Sequence, residues 1–238
     1  IMKTTSKRIN TLLSVSAMVF ASSTAMAQDL SITISNVTQG LYFTPVITSA
    51  HTSDNHIFMV GGAATAELQA MAEGGDISGL VSILSNADAN TSENPAAGLL
   101  APGMSSTYTL TNDSTNTHLS LAAMILPSND GFVGLDRWEI PTEAGTYTIN
   151  LNAYDAGTEA NNELVNGGGA PGLLGIPAAP GGDSGTNGTG VTDTESNTMI
   201  HIHRGNLGDD MLDGGKSDLS NSIHRWLNPV AKLTVTIQ

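Results

Sequence analysis

Apolar residues along this chain recur in short runs broken by turn-forming stretches. Leu30, Ile32 and Ile34 alternate with polar neighbours, and Leu41, Phe43 and Val46 do so in part. A period of two predicts two strands around a turn at Thr38-Gln39-Gly40. The pattern changes over residues 62–86. Ala64, Leu68, Met71 and Ala72 fall at helical spacing and stop at Gly74-Gly75. Ile77, Leu80, Val81 and Leu84 form a second amphipathic stretch, with Asp76 placed to cap it. Residues 86–103 read as a polar loop, as does the segment from His51 to His56. Strands resume at Ser106–Thr111 and Leu119–Leu126, with a turn at Asn112–Asn116 between them.

Three runs then follow in quick succession. Leu119–Leu126 ends in Pro127-Ser128-Asn129-Asp130-Gly131, Phe132–Ile140 ends in Pro141–Gly145, and Thr146–Tyr154 empties into Asp155-Ala156-Gly157-Thr158-Glu159. Three consecutive antiparallel strands put alternate loops at one end of a sheet. Asp130 is thereby expected beside Asp155 and Glu159. Carboxylates gathered there repel one another unless a cation lies between them, and hard oxygen donors on loops suit Ca²⁺. Asp and Asn are also turn formers in their own right, so the residues alone leave ligand and turn former both open. Asn129 and backbone carbonyls are available to complete a shell, and Glu163 is either a further donor or a loop cap.

Residues 165–198 are glycine-rich and read as flexible, with Leu173, Leu174 and Ile176 expected to pin their middle. No Lys-Ser/Thr pair follows the glycines, which sets a phosphate loop aside. Met199–His203 reads as a strand. His201 and His203 share one face of it, giving either a copper or zinc pair that needs a third ligand (His224, His118, His51 or His56) or two structural histidines. Asp209-Asp210-Met211-Leu212-Asp213-Gly214-Gly215 resembles a single copy of a glycine- and aspartate-rich calcium repeat. Such repeats act in stacked tandem, so the stretch reads as a solvated acidic loop, with loose Ca²⁺ binding as the alternative and Asp218 beyond it. The last strand runs from Ala231 to Ile237, with Leu233, Val235 and Ile237 on one face.

Composition narrows the picture. The chain of 238 residues carries 8 Lys and Arg against 22 Asp and Glu, a net charge of −14. Such a surface repels nucleic acid and anionic membranes and attracts cations. The absence of cysteine excludes disulfides and thiolate metal sites. Lys3, Lys7 and Arg8, an apolar stretch from Leu12 to Ala21, and Ala25-Met26-Ala27 have the form of a secretory signal peptide cleaved after Ala27. The expected organisation is a signal peptide over 1–27 and one domain over 28–238, secreted or periplasmic, with no membrane span. No G-x-S-x-G, H-E-x-x-H or cysteine nucleophile occurs. Paired carboxylates suit glycoside cleavage, but aromatics are only 4% of the chain, too few for a sugar platform. Trp138 and Trp226 read as core or interface residues.

Ser128-Asn129-Asp130-Gly131-Phe132-Val133-Gly134-Leu135-Asp136 resembles the S-P-D-W-x-V-G-x-D segment of the spondin N-terminal domain family (F-spondin/mindin-like). Tyr154-Asp155-Ala156-Gly157-Thr158-Glu159 resembles its Y-D-A-G-T-D segment, and Asn228–Val235 is similar to its closing strand. The resemblance spans residues 30–238 and suggests an exported bacterial member. It departs from the family in having no cysteine, no aromatic directly after Asp130, and Glu159 in place of Asp. It implies an all-β, antiparallel, C2-like β-sandwich, here with short inserted helices, whose loops hold Ca²⁺ at one end through Asp130, Asp155 and Glu159. The implied role is non-enzymatic recognition or adhesion, toward an extracellular or cell-surface glycan, lipopolysaccharide or protein. The competing readings are a periplasmic copper or zinc protein or enzyme using His201 and His203, and a plain structural matrix protein.

Overall fold

The computed structural model describes residue 1, residues 28–181 and residues 184–238; the expected signal peptide lies outside the described residues. Ten strands and two helices follow in the order β1 (Gln28–Asn36), β2 (Tyr42–Phe43), β3 (Ile47–His51), α1 (Ala66–Gly74), α2 (Ser78–Asn86), β4 (Asn90–Glu93), β5 (Ser105–Asn112), β6 (His118–Leu126), β7 (Gly131–Glu139), β8 (Gly145–Asp155), β9 (His201–Ile202) and β10 (Ala231–Ile237). All ladders between named strands are antiparallel. Strand neighbours run β4-β3-β6-β7-β8-β10-β1-β5, with β2 beside β6 and β9 beside β8.

The path bends into two facing halves. β8 belongs to both: Gly145–Leu151 pair with β10, and Asn152–Asp155 pair with β7. One core lies between the halves, drawn from Leu30, Ile32 and Ile34 of β1, Leu121 and Ala123 of β6, Val133 of β7, Leu151 of β8 and Leu233 and Val235 of β10. Where β4 and β5 approach each other, side chains nearly close the fold. Asn90 donates to Asp113 (3.0 Å), and its Oδ1 accepts from the Asp113 N–H (2.9 Å) and from Asn116 (2.7 Å). The turn at Asn112–Asn116 is therefore a crossover between the halves, since β5 pairs with β1 while β6 pairs with β3 and β7.

β6 explains the unbroken apolar run in the sequence. Its Leu119, Leu121, Ala123 and Ile125 face the central core, while Ala122, Met124 and Leu126 face a second core under the helices. A strand buried on both faces has no polar alternation to keep. The second core sets Leu68, Met71, Leu80 and Leu84 of the helices against Phe58 and Phe132. α1 begins at Thr65, whose hydroxyl accepts the Leu68 N–H, and stops at Gly75 in the left-handed region (φ 74°). Asp76 accepts the Ser78 N–H (2.9 Å) just ahead of α2, but the N-cap position itself is Ile77, which has no side-chain cap bond, so Asp76 is not the cap the sequence suggested. Among the described residues no helix is long and apolar enough to cross a membrane.

Candidate functional site

The strand pairing brings the two acidic loops together. Gly131, the first residue of β7, pairs with Asp155, the last of β8. The preceding residue, Asp130, therefore sits beside the turn that follows Asp155. Asp130 Oδ2 accepts the Thr158 N–H (2.8 Å), the Thr158 hydroxyl (3.2 Å) and the Glu159 N–H (3.3 Å), and its carbonyl accepts the Ala156 N–H (3.2 Å). The turn needs Gly157. Its φ is +70°, and a Cβ there would lie 2.7 Å from the Thr198 carbonyl carbon. The D-A-G-T string thus combines a carboxylate, a glycine that admits a neighbouring chain segment, and a threonine that ties the two loops.

All three acids are buried: Asp130 is 0%, Asp155 2% and Glu159 7% exposed. Asp155 Oδ1 accepts the Gly157 N–H (2.9 Å) and Oδ2 accepts from Asn161 (2.7 Å). Glu159 Oε2 accepts the Gly175 N–H (3.1 Å). One oxygen on each of two acids, Asp130 Oδ1 and Glu159 Oε1, is buried without a partner. An unpaired buried carboxylate oxygen is costly. Burial, reinforced by the charge of Asp155, raises the Asp130 carboxyl to about 7. Burial likewise raises Glu159 to about 8, against the hydrogen bond it accepts from Gly175. Asp155 also lies above the usual range, chiefly through burial.

The neighbours of these acids are committed. Asn129 Oδ1 accepts the Glu163 N–H (3.0 Å), and its Nδ2 donates to Asn162 (2.9 Å). Glu163 caps a loop, accepting the Leu207 and Gly208 N–H groups and the Ser217 hydroxyl. Two acids brace the glycine-rich segment: Glu73, which the sequence reading did not single out, and Asp218, which it placed beside a solvated acidic loop but which is buried. Buried Glu73 takes the Gly172 N–H (2.7 Å), and Asp218 takes those of Val165, Thr186 and Gly188 (2.8, 2.8 and 2.7 Å). Those contacts are long-range, and no local motif announces them.

The two histidines reach the same acid. His201 Nε2 lies 3.7 Å and His203 Nε2 3.9 Å from Asp155 Oδ2. His201 Nδ1 donates to the Met199 carbonyl (2.9 Å), which leaves Nε2 facing the carboxylate. His203 Nδ1 accepts the Gly205 N–H (2.9 Å), so its proton is on Nε2, directed at Asn161 Oδ1 (3.2 Å). Burial, with Arg204 and His201 nearby, pushes His203 down to about 3 and keeps it neutral. His51 and His118 pair across β3 and β6, and His56 sits on Asp136 (3.2 Å). Among the described residues no three His, Asp or Glu side chains form a ready-made metal cage. The donors on offer for Ca²⁺ are nonetheless all oxygen, and two of them, Asp130 Oδ1 and Glu159 Oε1, have nothing else to bind.

Fold and site together define a two-layer β domain with an acidic loop cluster at one end. A family profile, Spondin_N, matches residues 35–164, more than half of the chain and including both acidic loops. The chain belongs to the spondin N-terminal domain family. Comparison with curated proteins gives no match. Membership points to an extracellular recognition or adhesion module.

Proposed function

We propose that the protein is a calcium-binding, non-enzymatic recognition module, with the ion held among Asp130, Asp155 and Glu159. The observation that carries this reading is the pair of buried, unpartnered oxygens on Asp130 and Glu159. Bound Ca²⁺ supplies the positive charge that lets all three acids ionise together. The chain's own contribution is to hold the loops: Thr158 and the Glu159 N–H fix Asp130, Asn161 and Gly157 fix Asp155, and Gly175 fixes Glu159. An ion shared by two loops then makes the end of the domain a rigid surface for an extracellular partner, whether glycan, lipopolysaccharide or protein.

The copper or zinc reading is less well supported. Both ring nitrogens of His203 are engaged within the protein, which leaves His201 as the available imidazole. Elemental analysis of full-chain protein purified without chelators separates the readings. Calcium near one ion per chain is expected; copper or zinc in its place would overturn the proposal.

A further inference from the structure

The outward face of the half-sheet β5-β1-β10-β8 has a composition unlike the rest of the molecule. Inward positions of these strands carry Leu, Ile, Val and Tyr, and outward positions carry hydroxyls. The register lines them into rows across all four strands. One row is Thr109-Ser31-Thr236-Thr146, and the next is Thr107-Thr33-Thr234-Thr148. Seven of these eight residues are threonine, on a face where the strands leave them exposed or half-exposed. Hydroxyl pairs cross the strands between Thr33 and Thr107 (2.8 Å) and between Thr146 and Thr236 (3.1 Å), which fixes those side chains.

The residue types restrict what such a face can hold. No outward position of this half-sheet, which takes β8 from Gly145 to Leu151, is aromatic, so there is no platform for a sugar ring. Charge enters only at the margins, at Asp29 and Lys232, although the chain as a whole carries −14. An ionic ligand has nothing to pair with. What remains is a repeat of donor-acceptor hydroxyls and methyl groups, spaced by about 4.8 Å across strands and about 6.7 Å along them. Water over such a grid bonds to the hydroxyls and is ordered over the methyls, which cannot bond to it.

We infer that this threonine grid binds the surface of ice through an ordered water layer. The inference is independent of the acidic loops. Sheet twist rotates neighbouring strands by about 20–25°, so only a small flat patch of the grid can meet a planar ice face. The activity therefore reads out as inhibition of ice recrystallisation and not as a large depression of the freezing point.

The test uses full-chain protein annealed in a frozen sucrose solution, beside a Thr107→Lys/Thr148→Lys variant and a Ser114→Lys control in the β5–β6 turn. Unchanged circular dichroism and melting temperature establish that both variants are folded. Wild type and control are expected to keep ice grains small, and the double variant to lose that effect. Grain growth in wild type equal to that in buffer would overturn the inference, as would full activity in the folded double variant. Retention of wild type on cellulose or chitin, without an effect on ice, would reassign the face to a polysaccharide and also overturn it.

Discussion

Asp130 sends its two oxygens into different surroundings: Oδ2 takes three donors while Oδ1, equally buried, takes none. The consequence for stability has an unusual sign. An acid whose folded pKa lies above its unfolded value stabilises the fold least when ionised. Its penalty is absent below the unfolded value (3.8 for Asp130, 4.5 for Glu159) and complete above the folded one (about 7 and about 8). Calcium-free protein should therefore lose stability as pH rises from 4 to 8, and added Ca²⁺ should restore it. His203 has the opposite dependence. Neutral in the fold, it stabilises above its ordinary 6.5, and that contribution is lost as pH falls toward about 3. Melting curves at several pH values, with Ca²⁺ or chelator, check both slopes. In Asp130→Asn the fall toward alkaline pH should shrink and the calcium-induced rise in Tm should vanish. A variant that still gains the wild-type rise would exclude Asp130 as a ligand.

At the scale of elements, Phe132 joins the sheet to the helical layer. It meets Phe58 edge-on with centroids 5.0 Å apart and Tyr154 at 5.6 Å. Phe132→Ala should cost about 3–5 kcal/mol, the range for emptying a large core site, as read by urea denaturation. Asn90 holds the other seam. Asn90→Ala removes three hydrogen bonds at this part-exposed seam while Asn116 keeps its bond to the Asp88 carbonyl, and should cost about 1 kcal/mol, as read by the same method. The sequence showed these elements unevenly. The helices, β6, β8 and β10 were legible because their apolar period matches one or two buried faces. β4 was not: Asn-Thr-Ser-Glu on an edge carries no alternation, and it lies in a stretch that reads as loop. His51, at the start of an expected polar loop, is the buried end of β3, with its ring between Ser120 and the Thr52 carbonyl. The meeting of the two acidic loops followed from strand order alone. The bracing by Asn161, Gly175 and Glu73 did not, because those contacts depend on where distant loops settle.

Across the whole molecule, the extended segment after β8 is held by acids as well as by the second core, which takes Ile176 and Ile200, whereas Leu173 and Leu174, expected to pin it, are exposed. Asp218 accepts three backbone N–H groups, and Gly185 and Gly188 approach it so closely that a Cβ at either would lie 3.1 Å or less from its carboxylate. A glycine-rich stretch that composition marks as flexible is thus tied down by Asp218, some thirty positions away, together with Asp213, Gly215 and Lys216 beside it. Asp218→Ala leaves those donors unpaired and should open residues 184–190 to limited proteolysis while β1–β8 stay resistant. Equal digestion of variant and wild type would show that the loop is held by other contacts. The same long segment covers the acidic loops through Gly175, His201 and His203. The proposed calcium site therefore sits where the loop before β7 and the loop after β8 meet this later segment. Calorimetric titration of Ca²⁺ into chelator-treated full-chain protein, beside Asp155→Ala, tests it most directly. The account predicts binding heat near one ion per chain in wild type and its loss in the variant; no heat in wild type, or equal heat in both, would contradict it.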